Sequence, residues 1–112
     1  MNVVVRENNN IKILDFEGKL DTNTAPEADK MINEILNAGC LKLIVNFKNL
    51  NYISSAGLRC LLAAAKNLKK VNGDLRVCNL NEVVQEIFDI SGFCSILNVN
   101  STEEEALSDF NT

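Results

Sequence analysis

Two adjacent hydroxyls, Ser54 and Ser55, stand in the segment Asn46-Phe47-Lys48-Asn49-Leu50-Asn51-Tyr52-Ile53-Ser54-Ser55-Ala56-Gly57-Leu58. It reads as an apolar strand, a short polar turn, and two serines ahead of a Gly-Leu pair that opens a helix. A helix N-terminus leaves N–H groups unpaired and carries the positive end of the dipole. A phosphate on either hydroxyl could therefore sit there without melting the fold. The competing use is structural: a serine ahead of a helix accepts one orphan N–H, worth roughly 1 kcal/mol. One serine suffices for that. The second, followed by the small Ala56 and Gly57, suits an accessible site, and the residues alone leave capping and modification evenly balanced.

Other chemistry is scarce. The chain has no histidine, which removes a Ser-His-Asp triad and the commonest metal ligand. Ile53 stands where a Gly-x-Ser-x-Gly nucleophile elbow needs its first glycine. Neither a phosphate-binding Gly-x-x-x-x-Gly-Lys-Ser/Thr loop nor a Gly-x-Gly-x-x-Gly dinucleotide fingerprint occurs. Cys40, Cys60, Cys78 and Cys94 are spread singly, as reduced thiols buried in apolar company would be. Glu103-Glu104-Glu105 falls in the first turn of a helix, where the dipole accounts for acidic residues. The expectation is a protein that is not an enzyme and uses neither cofactor nor metal.

The elements that must position the serines follow from periodicity. Val3–Arg6 and Ile11–Phe16 read as a hairpin across Asn8-Asn9-Asn10. Thr24, with Pro26 in the first turn and Glu27 completing a capping box, starts a helix that ends at Ala38-Gly39. Leu41–Phe47 is a near-continuous apolar run, the mark of a strand covered on both faces. A helix follows over 56–70, then a strand at Leu75–Cys78 and a helix capped by Asn79 or Asn81 that stops at Ser91-Gly92. Ile96–Val99 is a last strand, and Ser101 or Thr102 caps a last helix. The order β-β-α-β-α-β-α-β-α implies an α/β fold: a small mixed sheet of about five strands, parallel except at the hairpin, with about four helices packed largely on one face.

At 112 residues, 46% of them apolar and 23% charged, the chain is expected to form a single domain over 1–112. A net charge of −4 argues against a nucleic-acid partner. Lys66, Lys69 and Lys70 gather where a helix C-terminus favours cations. No apolar run approaches the ~20 residues of a membrane helix, and the N-terminus lacks the pattern of a signal peptide. No membrane segment and a cytoplasmic location are the expectations.

The strand–serine segment resembles the signature of STAS domains, and more narrowly of single-domain bacterial anti-sigma factor antagonists. In that family an apolar strand ending Asp/Asn-Leu/Phe leads to a leucine and then Asp-Ser-Ser/Thr-Gly-Leu. Gly18-Lys19-Leu20-Asp21 is similar to the family's Gly-x-Leu-Asp, Asp89-Ile90-Ser91-Gly92-Phe93 to its Ser-Gly-Leu/Phe segment, and Glu105-Ala106-Leu107 to its final helix. Registered on Gly57-Leu58, the family's phosphorylated serine falls on Ser55, with Ser54 as the alternative acceptor. Ser54 stands where aspartate is common, and Ala56 where Ser/Thr is.

The resemblance implies a STAS fold and a partner switch. The unphosphorylated form binds an anti-sigma factor with serine kinase activity and frees the sigma factor; phosphorylation breaks the complex, and a serine phosphatase resets it. Asp21, Ser54, Ser55, Ala56 and Gly57 are the partner-binding residues this implies. The alternative is a STAS interaction module without a switch, a scaffold or a lipid-transporter subunit. A nucleotide binder using the same helix N-terminus is a further alternative, disfavoured by the missing glycine loop.

Overall fold

The computed structural model describes residues 1–92 and 97–110. Five strands and four helices alternate in the expected order: β1 (Asn2–Asn8), β2 (Ile11–Leu20), α1 (Ala25–Asn37), β3 (Lys42–Ile53), α2 (Ser55–Lys69), β4 (Asp74–Cys78), α3 (Glu82–Ser91), β5 (Asn98–Asn100) and α4 (Glu103–Phe110). Cys94, Phe93 of the Ser-Gly-Leu/Phe resemblance and Ile96 of the expected last strand lie outside the described residues.

The sheet runs β1-β2-β3-β4-β5, antiparallel in the first pair and parallel thereafter. Asn9 and Asn10 both take positive φ, 50° and 71°, in the two-residue hairpin loop. Asparagine tolerates that conformation, and the turn it makes matches the twist of the flanking strands. Because the parallel strands succeed each other without reversal, right-handed crossovers place α1, α2 and α3 on one face. There Ala28 and Ile32 of α1, Leu61 of α2 and Phe88 of α3 close over Phe16, Val45 and Phe47. The Phe47 ring stands edge-on to both Phe16 and Phe88, at 5.6 and 6.5 Å between centroids.

Among the described residues the opposite face carries α4 alone. Ala106, Leu107 and Phe110 cover Ile11, Ile13, Ile44 and Cys78 in a second, smaller core. Thr102 caps this helix, its Oγ1 accepting the Glu105 N–H at 3.1 Å, and Glu105 in turn accepts the Ser101 N–H. The acidic first turn does more than meet the dipole. Glu103 accepts hydrogen bonds from Arg6 on β1 and from Asn46 Nδ2 at 3.0 Å, while Arg6 also grips Asp15 on β2. Asn46, one of two buried polar residues among those described, thus has its amide satisfied.

Two readings need correction. Lys48–Asn51 is strand rather than a polar turn, because β3 continues to Ile53 against the second half of β2. Register shifts between Asp15 and Glu17 and between Gly18 and Lys19 give β3 two extra residues there, so Phe47, Leu50 and Ile53 reach the core at intervals of three. The period-2 signal is lost. At α1, Thr24 makes no side-chain bond to the helix and the capping box does not form; its hydroxyl instead accepts the Asp21 N–H and donates to the Lys19 carbonyl, each at 2.9 Å.

Hydrogen bonds from Arg6 hold the Glu103 carboxyl below its ordinary 4.5, against a smaller opposing effect of burial. A carboxylate so lowered stabilises the fold above its ordinary range, and the contribution is lost as pH falls through the lowered value. Glu103→Gln should therefore be less stable than the parent at pH 7, by a gap that narrows as the pH is lowered to 3. Urea midpoints at the two values measure this; a gap that does not shrink would show that the ion pair contributes nothing to stability.

Candidate functional site

The strand-to-helix junction is built from backbone first. Leu20 and Ile53, the last paired residues of β2 and β3, bring the two strand ends side by side. The Ser54 N–H then donates to the Leu20 carbonyl at 2.9 Å. Ser54 keeps an extended backbone as the N-cap of α2, its Oγ accepting the Gly57 N–H at 3.3 Å and its carbonyl accepting the Leu58 N–H at 2.9 Å. Half-buried and bonded through three of its groups, Ser54 holds the helix start in place.

Ser55 differs in every respect. It is the first helical residue, it is exposed, and its hydroxyl makes no hydrogen bond among the described residues. Ser54 is therefore the cap, and Ser55 presents a free hydroxyl beside the N–H groups of the first turn.

Gly57 fixes how closely α2 approaches the sheet. A Cβ there would lie 2.8 Å from Leu20 Cγ and from Ile53 Cγ1, and 2.9 Å from the Leu20 carbonyl oxygen. Its φ is ordinary, so the requirement is for the absence of a side chain rather than for backbone freedom. Ala56 and Gly57 are inward members of the site, half-buried and buried, and only Ser55 among the four faces water fully.

Asp21 is half-buried and acts within its own turn, Oδ1 accepting the N–H groups of Asn23 at 2.9 Å and Thr24 at 3.2 Å. It follows Leu20, whose carbonyl binds Ser54, so the turn adjoins the serine pair. Its hydrogen bonds define a turn residue. From here a shallow cleft of about 410 Å³ runs between α1 and α2, lined by Thr22, Ala25, Pro26, Asp29, Ala56 and Arg59 among others. Arg59 was not singled out in the sequence. The signal was its position four residues after Ser55, which makes the two neighbours on the helix surface.

Nucleophilic use of Cys60 and Cys78 is disfavoured. Burial pushes the Cys60 thiol up to about 12, helped by Asp29, whose Oδ1 lies 3.8 Å from the sulfur. Cys78, under α4, is likewise pushed up to about 12 by burial and by Glu103 and Asp15. Among the described residues no group of three or more acidic or thiol side chains could hold a metal ion, and no helix is long and apolar enough to cross a membrane.

The STAS domain family profile matches residues 2–106. A protein of Bordetella bronchiseptica named as a candidate anti-sigma factor antagonist, BtrV, is 36% identical over 97 residues, covering 87% of this chain and 84% of its own. The anti-sigma-B factor antagonist of Bacillus subtilis is 29% identical over 104 residues, covering 93% of this chain and 94% of its own. Among solved structures, the unphosphorylated anti-sigma factor antagonist SpoIIAA superposes with a TM-score of 0.84 at 22% identity over 98% of this chain and 96% of its own. The phosphorylated form of Bacillus SpoIIAA superposes at 0.74, also at 22% identity, over 97% and 99% of the two chains. These two likenesses bear on the fold alone.

The division of labour at the junction gives distinct stability costs. Ser54→Ala should cost about 1 kcal/mol through loss of the cap, whereas Ser55→Ala should stay within about 0.5 kcal/mol of the parent. Gly57→Ala should cost about 1–3 kcal/mol, as overpacking against the Leu20 backbone does. Chemical denaturation of the three variants gives the order; a Ser55→Ala protein as destabilised as Ser54→Ala would remove the distinction.

Proposed function

The chain belongs to the STAS-domain family, and on that premise we propose that it is an anti-sigma factor antagonist whose partner binding is switched at Ser55. In the unphosphorylated form it binds an anti-sigma factor that is itself a serine kinase, so that the sigma factor is freed. Phosphorylation of Ser55 by that kinase ends the complex, and a serine phosphatase restores it. The domain acts by binding, in the cytoplasm, and as one unit over 1–112. The names of the relatives support the antagonist role, and the existence of a phosphorylated form of SpoIIAA supports a phosphoswitch on this fold.

One observation carries the choice of residue: Ser55 is exposed with an unengaged hydroxyl, while Ser54 Oγ is committed to Gly57 N–H. A kinase acting on Ser54 would have to break a helix cap. The substitution of the family's common aspartate by Ser54 then has a simple reading. Aspartate and serine are equally good N-caps, so the cap is kept while a negative charge beside the acceptor is removed.

A phosphate on Ser55 brings about −1.5 to −2 charges. Within the domain those charges meet the N-terminal N–H groups of α2 and, one turn on, Arg59. Against a partner surface shaped for a hydroxyl the same phosphate is desolvated and repelled, and ~1.4 kcal/mol suffices for each factor of ten in affinity. The fold persists and the complex does not.

Incubation with the cognate kinase and ATP should add one phosphate to the parent and to Ser54→Ala, and none to Ser55→Ala, by intact mass. A parent that takes no phosphate yet binds its partner would point to the non-switching module instead. Ser55→Asp should keep native circular dichroism and lose part of its partner affinity, supplying about one charge in place of nearly two. Ser54→Asp should bind normally. The reverse pattern would make Ser54 the acceptor. Asp21→Asn should fold, and unchanged affinity in a binding titration would leave Asp21 its turn role alone.

A further inference from the structure

Among the described residues the outer edge of β1 has no partner strand, since β1 is the first strand of the sheet and pairs there only with β2. Edge strands are commonly protected by lysine, proline, bulges or brevity. None of these devices is present: β1 runs seven residues as Asn-Val-Val-Val-Arg-Glu-Asn without a register shift. Its one basic side chain, Arg6, is drawn across the sheet onto Asp15 and Glu103 and so does not shield the edge. Val4 and Val5 are 49% and 47% exposed.

We propose that two copies of this chain associate through their β1 edges, antiparallel, with Val4 on the two-fold axis. Two parities admit only registers centred on a residue, and the side chains that then meet select among these. The first is the hydrogen-bond parity. The two-residue loop Asn9-Asn10 is closed by the pair Asn8 and Ile11, and in such a hairpin the closing pair exchanges hydrogen bonds. Alternate residues back from Asn8, namely Arg6, Val4 and Asn2, therefore bond to β2. Val3, Val5 and Glu7 aim their N–H and C=O groups outward.

The second is the parity of side chains. Arg6 stands on the α4 face, where it meets Glu103, and Val4 lies two residues away on that same face. Val3 packs instead on the core beneath α1–α3. A continuous sheet through a two-fold axis keeps each face continuous, so odd residues must oppose odd and even must oppose even. Centred on Val4, the outward-aimed Val3 of one copy exchanges hydrogen bonds with Val5 of the other, and Val4 faces Val4. Asn2 then opposes Arg6, and no like charges meet. Centring on Val5 would instead set Val4 against Arg6 and Val3 against Glu7. Only the Val4 register places valine against valine at all three central positions. The contact is isologous, as a closed two-fold dimer requires.

A single edge of seven residues is a small contact of the transient class, so the association should appear as a monomer–dimer equilibrium between about 10 µM and about 1 mM protein. Analytical ultracentrifugation of the intact chain over that range tests it. Val4→Lys sets two ammonium groups opposite each other on the axis and should weaken dimerisation at least tenfold, with circular dichroism and melting unchanged. Val5→Pro removes an outward N–H, leaves the β1–β2 ladder intact, and should do the same. A parent that stays monomeric throughout would overturn the proposal. So would a dimer that survives Val4→Lys, a result that decides the matter even if Val5→Pro fails to fold.

Discussion

Handedness is the constraint from which the rest of this domain follows. Crossovers between parallel strands are right-handed, and the strands here succeed one another in sequence order without a reversal. Three helices must then fall on one face, leaving the other to whatever follows β5. A single eight-residue helix, α4, does that work. It is too short to hold itself in place by propensity. Its apolar contacts are therefore backed by an ionic tie from Glu103 to Arg6, which stitches the last element to the first strand.

The same order shapes the functional end. A doubly wound sheet that reverses its strand order opens a crevice at the reversal, where ligands bind. This strand order has no reversal, and the proposed site is a strand-to-helix junction. What matters there is precision of the backbone. Leu20, Ile53, Ser54 and Gly57 lock the end of β2, the end of β3 and the start of α2 into one unit. The exposed hydroxyl sits on that unit, and the adjoining cleft between α1 and α2 is lined by small side chains together with Asp29 and Arg59.

Much of this was legible from local rules. The asparagine turn, the Gly92 helix stop at φ 77° and the asparagine cap of α3 all rest on interactions within a few residues; Asn8 falls in β1 with Asn9 and Asn10 as the loop, and of Asn79 and Asn81 it is Asn81 that caps. What the sequence hid was non-local. Lys48, Asn49 and Asn51 look like a turn because bulges against β2 break the alternation that marks a strand. Thr24 and Glu27 look like a capping box, yet the Lys19 carbonyl, five residues upstream, takes the threonine hydroxyl. Glu103 looks like a helix-dipole residue, and its partner Arg6 lies 97 positions away. At the serine pair, the capping role of Ser54 rests on its Oγ accepting the Gly57 N–H and on its own N–H reaching back to Leu20 at the end of β2.

The close fit of Gly57 against Leu20 bears on how far a signal at this junction can travel. A helix seated with no room for a single methyl group has little freedom to slide or tilt in response to charge at its mouth. Charge added there would stay at the surface as an electric field, not become a change of shape. The reach of such a field is the Debye length, about 8 Å at physiological ionic strength. Discrimination between the two forms by a partner would then be local, and it would fade with added salt while the fold beneath it stayed the same.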